Sequence, residues 1–220
     1  MLNYTREGSV AVLQLDDGKV NCVGHAFVDA VEEGLDRASE EAGAVVVIGR
    51  PGVFSAGFDL KEFEKGPEEA AKLRARGAAM LLRVFTHPQP VVAACTGHAV
   101  AAGALFLLAC DTRLGASGEF TIGLNETAID KTLPVFGLEL ARARLSPRFL
   151  TAAVTQARMY DPQQAVAVGF LDRVVSPSEQ VDMALEEATA MAALPATAYA
   201  GNKLGIRRPI AETIRASLIR

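Results

Sequence analysis

Residues 90–111 form the part of this 220-residue chain that is best suited to hold a negative charge. The stretch begins with an apolar run, passes through Thr96-Gly97-His98 and continues as small residues into Leu105. Small side chains let other groups approach the backbone, and the first N–H groups of a helix have no partner within it. Free N–H donors at a helix start attract anions. We therefore predict an anion site at the start of a helix that is apolar on all sides and lies in the protein interior.

Another bend of small residues, SAGF at 55–58, follows an uninterrupted apolar run at 44–48. Such a run is typical of a parallel strand that is buried on both faces. The bend at 97–103 follows a similar strand at 91–94. Because ligands of parallel sheets bind beyond the carboxyl ends of the strands, we expect both bends on the same side of the sheet.

The elements that would position these bends alternate between strand and helix. A strand is predicted at 9–15, and a helix at 25–41 places Phe27, Val31, Leu35 and Ala38 on one face. A polar helix is predicted at about 67–85, which completes a βαβ pattern of an α/β fold.

After residue 111 the pattern changes. Short strands are predicted at 112–116, 120–122 and 171–175, and helices at 134–145, 147–155, 162–168, 178–193 and 209–219. We expect a core at 1–135 and a helical C-terminal region at 136–220.

Composition excludes several classes of function. The formal net charge is -4 and no basic run is present, so a nucleic-acid partner is not expected. The apolar stretches are too short for a bilayer and MLNYTREGS lacks a signal-peptide pattern, so we expect a cytoplasmic protein without membrane contact. Half of the residues are hydrophobic, which favours an oligomer.

Cysteine and histidine positions do not predict a metal site. Cys22, Cys95 and Cys110 lie in apolar contexts without CxxC spacing and are predicted to be buried thiols. His25 is expected at a helix start and His87 at the surface before a proline. The chain has no HxxxH pattern, GxGxxG motif or Walker loop, so neither a metal nor a nucleotide cofactor is predicted.

Three motifs carry a resemblance to a known family. FSAGFDLKE at 54–62, GHAVAAG at 97–103 leading to ACD at 109–111, and IGLNE at 122–126 with Pro134 downstream resemble the crotonase (enoyl-CoA hydratase/isomerase) superfamily. The resemblance extends from about residue 10 to 175, and the last motif is most similar to Δ3,Δ2-enoyl-CoA isomerases. It implies a crotonase-like (ββα) spiral core, a helical C-terminal oligomerisation part and a homotrimer or dimer of trimers.

The resemblance also implies a site for an acyl-CoA thioester. The thioester oxygen would lie between the backbone N–H groups of Phe58 and Ala102, which stabilise the enolate. Relatives usually have glycine at the position of Ala102. Substrate contacts are implied for the residues around these donors, namely Ala56, Gly57, Asp59, Leu60, Gly97 and Leu105. Coenzyme A is part of the substrate, so no separate cofactor is implied, and Lys61 and Lys203 either approach its phosphates or are solvated.

The resemblance makes Glu126 the base that carries a proton between C2 and C4 of the acyl chain; otherwise Glu126 is a solvated loop residue. Hydratases have a second acid where this chain has Leu105, so an isomerase of fatty-acid metabolism is favoured over a lyase. Asp130 stands where relatives usually have glycine, and it is either a second acid of the pocket or a solvated surface charge. His98 is expected to be a packing residue. The alternatives are a hydratase, a thioesterase and a non-catalytic acyl-CoA-binding protein.

Overall fold

The computed structural model describes residues 2–219. The strands are β1 (Leu2–Glu7), β2 (Val10–Leu15), β3 (Ala44–Ile48), β4 (Gly52–Ser55), β5 (Val91–Cys95), β6 (Gly97–Val100), β7 (Thr112–Ala116), β8 (Ile122–Gly123) and β9 (Arg173–Val175). The helices are α1 (His25–Glu41), α2 (Leu60–Glu64), α3 (Pro67–Thr86), α4 (Ala102–Ala109), α5 (Val135–Arg144), α6 (Leu150–Val154), α7 (Pro162–Val168), α8 (Gln180–Ala192) and α9 (Ala196–Leu218).

The strands form two sheets. The larger sheet has the order β1-β2-β3-β5-β7-β9, in which β1 pairs antiparallel with β2 and the other pairs are parallel. The smaller sheet has the parallel order β4-β6-β8. The consecutive pairs β3-β4, β5-β6 and β7-β8 each add one strand to each sheet. This is the ββα arrangement implied by the resemblance, whereas the small sheet itself and β1 were not predicted from the residue pattern.

The larger sheet is covered on both faces. Alternate residues of β3 belong to two different apolar clusters: Val45 and Val47 pack in the main core, and Val46 packs with Ala184 and Ala188 of α8. Burial on both faces explains why this strand contains no polar residue. Helix α4 is buried along its whole length, as its sequence predicts.

Helix α9 differs from its prediction at 209–219, because it already begins at Ala196. Gly201, Gly205 and Pro209 disfavour an isolated helix. In the fold, however, α9 buries one face, whose members recur at helical spacing and are Lys203, Arg207, Ala211 and Ile214. Tertiary packing of this face outweighs the poor helix propensity. None of the helices within residues 2–219 is long and apolar enough to cross a membrane.

Two smaller predictions are corrected. His87 is 3% exposed rather than at the surface, because it lies at the end of α3 against Ser39 of α1. Cys95 and Cys110 are buried as predicted, but Cys22 is partly exposed. The division at residues 135/136 stays a prediction, and its outer limits, residues 1 and 220, lie outside the described range.

Candidate active site

The small sheet places three candidate groups side by side. Phe58 follows the carboxyl end of β4, Ala102 follows that of β6, and Glu126 follows that of β8. Because these strands are parallel neighbours in the order β4-β6-β8, their ends meet at one edge. The two bends therefore lie on the same side, as expected. The strands that bring them together belong to the small sheet, whereas the prediction was based on two strands of the larger sheet.

The first bend leaves one backbone donor free. Val23 N donates to Gly57 O (2.8 Å), and Asp59 N donates to Val23 O (3.1 Å). Val23 thus holds the residues on both sides of Phe58 in a parallel bridge. The N–H of Phe58 points away from that bridge and donates to no residue within 2–219.

The second bend begins helix α4. Ala101 N donates to Gly123 O (3.0 Å), and Leu105 N makes the first helical hydrogen bond, to Ala101 O (3.0 Å). Ala102 N has no acceptor in the described chain, as expected for the first residue of a helix. Ala101 itself has φ 53° and ψ -122°, a strained backbone conformation for a residue with a side chain. The fold thus holds Ala101 in a sharp turn between the end of β6 and the start of α4.

The two bends are in direct contact. A Cβ atom built on Gly57 would lie 3.3 Å from Ala102 N and 3.0 Å from Ala101 Cβ. Only a residue without a side chain fits here, and Gly57 also has φ +93°. The two free N–H groups therefore belong to adjoining backbone segments.

Glu126 is the carboxylate beside these donors in strand order. It begins a 3₁₀ turn, Glu126–Ile129, which Thr127 anchors by donating from Oγ1 to Val154 O (3.1 Å). Glu126 is half-buried, and its Oε2 atom is buried without a hydrogen-bond partner among residues 2–219. Burial raises the pKa of this carboxyl group, against the opposing effect of a hydrogen bond to its own backbone. A carboxylate of this kind is poised to take up a proton.

The second acid of a hydratase is absent from its expected position. Leu105 lies one turn along α4 from Ala102, on the same face, and is 1% exposed. Asp130 is exposed and has φ 55° at the end of the 3₁₀ turn. This left-handed conformation is one that glycine adopts without steric cost.

The other predicted contacts surround the bends. Ala56 is exposed and Gly57 is buried, and Asp59 accepts from Lys61 N at the start of α2 (3.0 Å). Leu60 is 64% exposed at this side. Gly97 packs tightly against β4, because a Cβ atom on it would lie 2.0 Å from the carbonyl carbon and oxygen of Gly52. Its contact with the substrate stays a prediction.

The two lysines have different environments. Lys61 is exposed on α2 and is free to meet an anion. Lys203 is 8% exposed and donates to Asp111 Oδ2 (2.6 Å) and Gln89 O (3.1 Å). Lys203 is therefore a buried structural cation. His98 accepts from Thr121 N (3.0 Å) and packs edge-on against Phe120, consistent with a packing role.

One group within the described chain has metal-ligating atoms close together, although the sequence predicted none. Atoms of His25, Glu62 and Glu69 lie within 4.8 Å of one another. Arg76 Nη1, which can only donate, lies 3.0 Å from His25 Nδ1. This contact puts the ring proton on Nε2, the atom that a metal would need, and Lys65 already pairs with Glu62 (2.7 Å). Both carboxylates of the group are thus paired with lysines, because Lys72 lies 3.8 Å from Glu69.

Sequence reasoning missed the residues that hold the bends in place. Asn21 is buried with φ 53° and donates from Nδ2 to Phe54 O (3.1 Å), and Ser55 Oγ donates to Asn21 O (2.7 Å). Tyr160 exchanges both backbone hydrogen bonds with Ile122 of β8 (2.9 and 3.0 Å). Asn21 and Tyr160 lie outside the predicted helices and strands, and a single residue there gives no signal of such long-range contacts.

Comparison with known proteins identifies relatives of this chain. The chain is 28% identical to the mitochondrial enoyl-CoA delta isomerase 1 of Rattus norvegicus over 180 residues, which are 80% of this chain and 62% of that protein. It is 33% identical to a putative enoyl-CoA hydratase of Thermus thermophilus over 193 residues, covering 84% of this chain and 74% of that protein.

A crystal structure of an enoyl-CoA hydratase/isomerase family protein from Pseudomonas syringae superposes with a TM-score of 0.97 at 39% identity, covering 99% of this chain and 95% of that one. The chain spans less than two thirds of the rat isomerase. The family model described as enoyl-CoA hydratase/isomerase matches residues 5–217. The chain therefore belongs to the enoyl-CoA hydratase/isomerase family, whose crotonase fold it shares.

Proposed function

We propose that this protein is an enoyl-CoA isomerase that moves a double bond of an acyl-CoA from C3 to C2. The observation that carries the proposal is the set of three neighbouring strand ends. They present two backbone N–H groups without acceptors, at Phe58 and Ala102, and one buried carboxylate oxygen without a donor, on Glu126.

The reaction needs one base and one anion site. Glu126 removes a proton from C2 of a 3-enoyl thioester, and the negative charge moves to the thioester oxygen between the two N–H groups. The same carboxyl group returns the proton at C4, which leaves the double bond between C2 and C3. Loss of one such backbone donor typically costs a factor on the order of 10²–10³ in rate.

Isomerisation is favoured over hydration by Leu105. Hydration requires a second group to activate water, and a buried leucine cannot exchange a proton. The raised pKa of Glu126 supports a single base that both accepts and returns a proton.

The test is to supply cis-3-enoyl-CoA and follow the conjugated 2-enoyl product. We expect Glu126→Gln to lower kcat about 10²–10⁴-fold with little change in acyl-CoA affinity. The matched control is Asp130→Asn, which changes an exposed carboxylate four residues away and should keep the wild-type rate. An equal loss in both variants would contradict the assignment of Glu126.

Three further readouts separate the alternatives. With trans-2-enoyl-CoA, formation of 3-hydroxyacyl-CoA faster than isomerisation would establish a hydratase. Release of free CoA thiol would establish a thioesterase. Tight acyl-CoA binding without turnover of any of these substrates would establish a non-catalytic member. Assembly as a homotrimer or dimer of trimers is part of the same proposal, and light scattering of the purified protein tests it.

A further inference from the structure

The far end of helix α4 carries a second cluster of charges, which the proposed reaction does not use. Asp111, just beyond the helix, pairs with Lys203 (2.6 Å) and with Arg207 (2.8 Å). Arg144 donates from Nη2 to Cys110 O (3.1 Å) and to Asp111 O (2.9 Å). These residues lie an eight-residue helix, about 12 Å, from the free N–H group of Ala102.

A cavity of about 420 Å³ opens onto this cluster. Its wall contains three cationic side chains, Arg144, Lys203 and Arg207, but one acidic side chain, Asp111. The excess is two positive charges. The carbonyl end of α4 offsets about half a charge. The neighbouring carboxylate of Asp172 is already paired with Arg113 (2.6 Å) and so does not lower the excess.

Arg144 still has capacity for a ligand. Neither Nη1 nor Nε of Arg144 makes a hydrogen bond to the chain between residues 2 and 219, and Nε is buried. Burial, together with Arg113 and Arg207, lowers the pKa of Arg144 to about 10. Burial also lowers the pKa of Lys203, against the opposing effect of Asp111. Both directions are those of cations that burial separates from water.

From the cavity and its unbalanced charge we infer that this end of α4 binds a small oxyanion of the phosphate or carboxylate class. The planar guanidinium of Arg144 matches the geometry of either group. Apolar residues of α9 and the turn before it, including Leu194 and Ile206, line the other side of the cavity and leave room for an organic portion.

The test is thermal unfolding in increasing inorganic phosphate or acetate, with sodium chloride holding the ionic strength constant. We expect one of the two anions to raise Tm in a saturable way, by roughly 3–6 °C at ten times its Kd. No saturable rise with either anion would overturn the inference, and the anion that gives the rise identifies the class.

Two pairs of variants place the site. Arg144→Gln should abolish the rise, whereas Arg142→Gln, an exposed neighbour on α5, should keep it. Asn202→Asp adds one negative charge at the exposed edge of the cavity without changing the size of the side chain. It should weaken binding of the anion, raising its Kd about fivefold. Asn3→Asp makes the same change on β1 and should have no effect. Equal responses within either pair would place the anion elsewhere and overturn the site. Because isomerisation is measured separately, its failure would leave this result unaffected.

Discussion

A Cβ atom built on Gly103 would lie 2.2 Å from the carbonyl oxygen of Ser55, so helix α4 and the first bend touch through their backbones. The contact lies between the two segments that carry the free N–H groups of Phe58 and Ala102. It links a packing constraint in the core to the proposed anion site.

Gly103→Ala should therefore damage both stability and activity. Since the obstacle is backbone, the added methyl group must push the bends apart. We expect the free energy of unfolding to fall by about 1–3 kcal/mol and kcat/KM by about 10²-fold. Gly201→Ala on α9, where no atom lies within 4 Å, is the control and should raise stability by up to about 1 kcal/mol. An active Gly103→Ala enzyme would show that the contact does not set the site.

Ala101 offers a test of backbone strain. Glycine tolerates φ 53° with ψ -122° without a steric penalty, so we expect Ala101→Gly to raise the free energy of unfolding by about 1 kcal/mol. Ala102→Gly, one residue later in the helix, should lower it by up to about 1 kcal/mol. Urea unfolding of both variants measures the difference, and effects of the same sign would argue against strain at position 101.

The raised pKa of Glu126 predicts how activity depends on pH. The base must be ionised to accept the C2 proton, so kcat/KM should rise with pH through this pKa and then level off. Because burial raises that pKa, the midpoint should lie above the ordinary value of 4.5. A pH profile of wild type and Asp130→Asn checks this, and the two midpoints should agree. A midpoint at or below 4.5 would contradict a buried base.

His87 predicts a loss of stability in mild acid. Burial, aided by the charge of Lys203, lowers the pKa of His87 from 6.5 to about 4 in the folded protein. Between these values the unfolded chain binds more protons, so the free energy of unfolding should fall as pH drops from 6.5 to 4, by roughly 3 kcal/mol in all.

His87→Gln should remove that part of the pH dependence. Urea unfolding at pH 7, 6, 5 and 4 compares the two proteins, whose stabilities should converge towards pH 4. Parallel curves for variant and wild type would show that other groups account for the loss in acid.

The sequence by itself determined the elements with strong local patterns. The helix at 25–41 and the strand at 44–48 have the predicted bounds. The apolar residues of each follow a local pattern, a helical repeat in the first and an unbroken run in the second, and this pattern matches the residues that are buried. The three motifs also identified the family, and with it the residues to inspect at each bend.

Only the tertiary structure decided how these residues meet. The small sheet is built from β4, β6 and the two-residue β8, which are too short and too rich in glycine to form a pattern of their own. The pairing of these strands joins residues that are far apart in sequence. The fold also brings Val23 alongside Phe58, where Val23 bonds to the backbone of Gly57 and Asp59 and leaves the N–H group of Phe58 without an acceptor in the described part of the chain. The burial of Lys203 and His87 was hidden for the same reason: a polar side chain's environment depends on which distant elements pack over it.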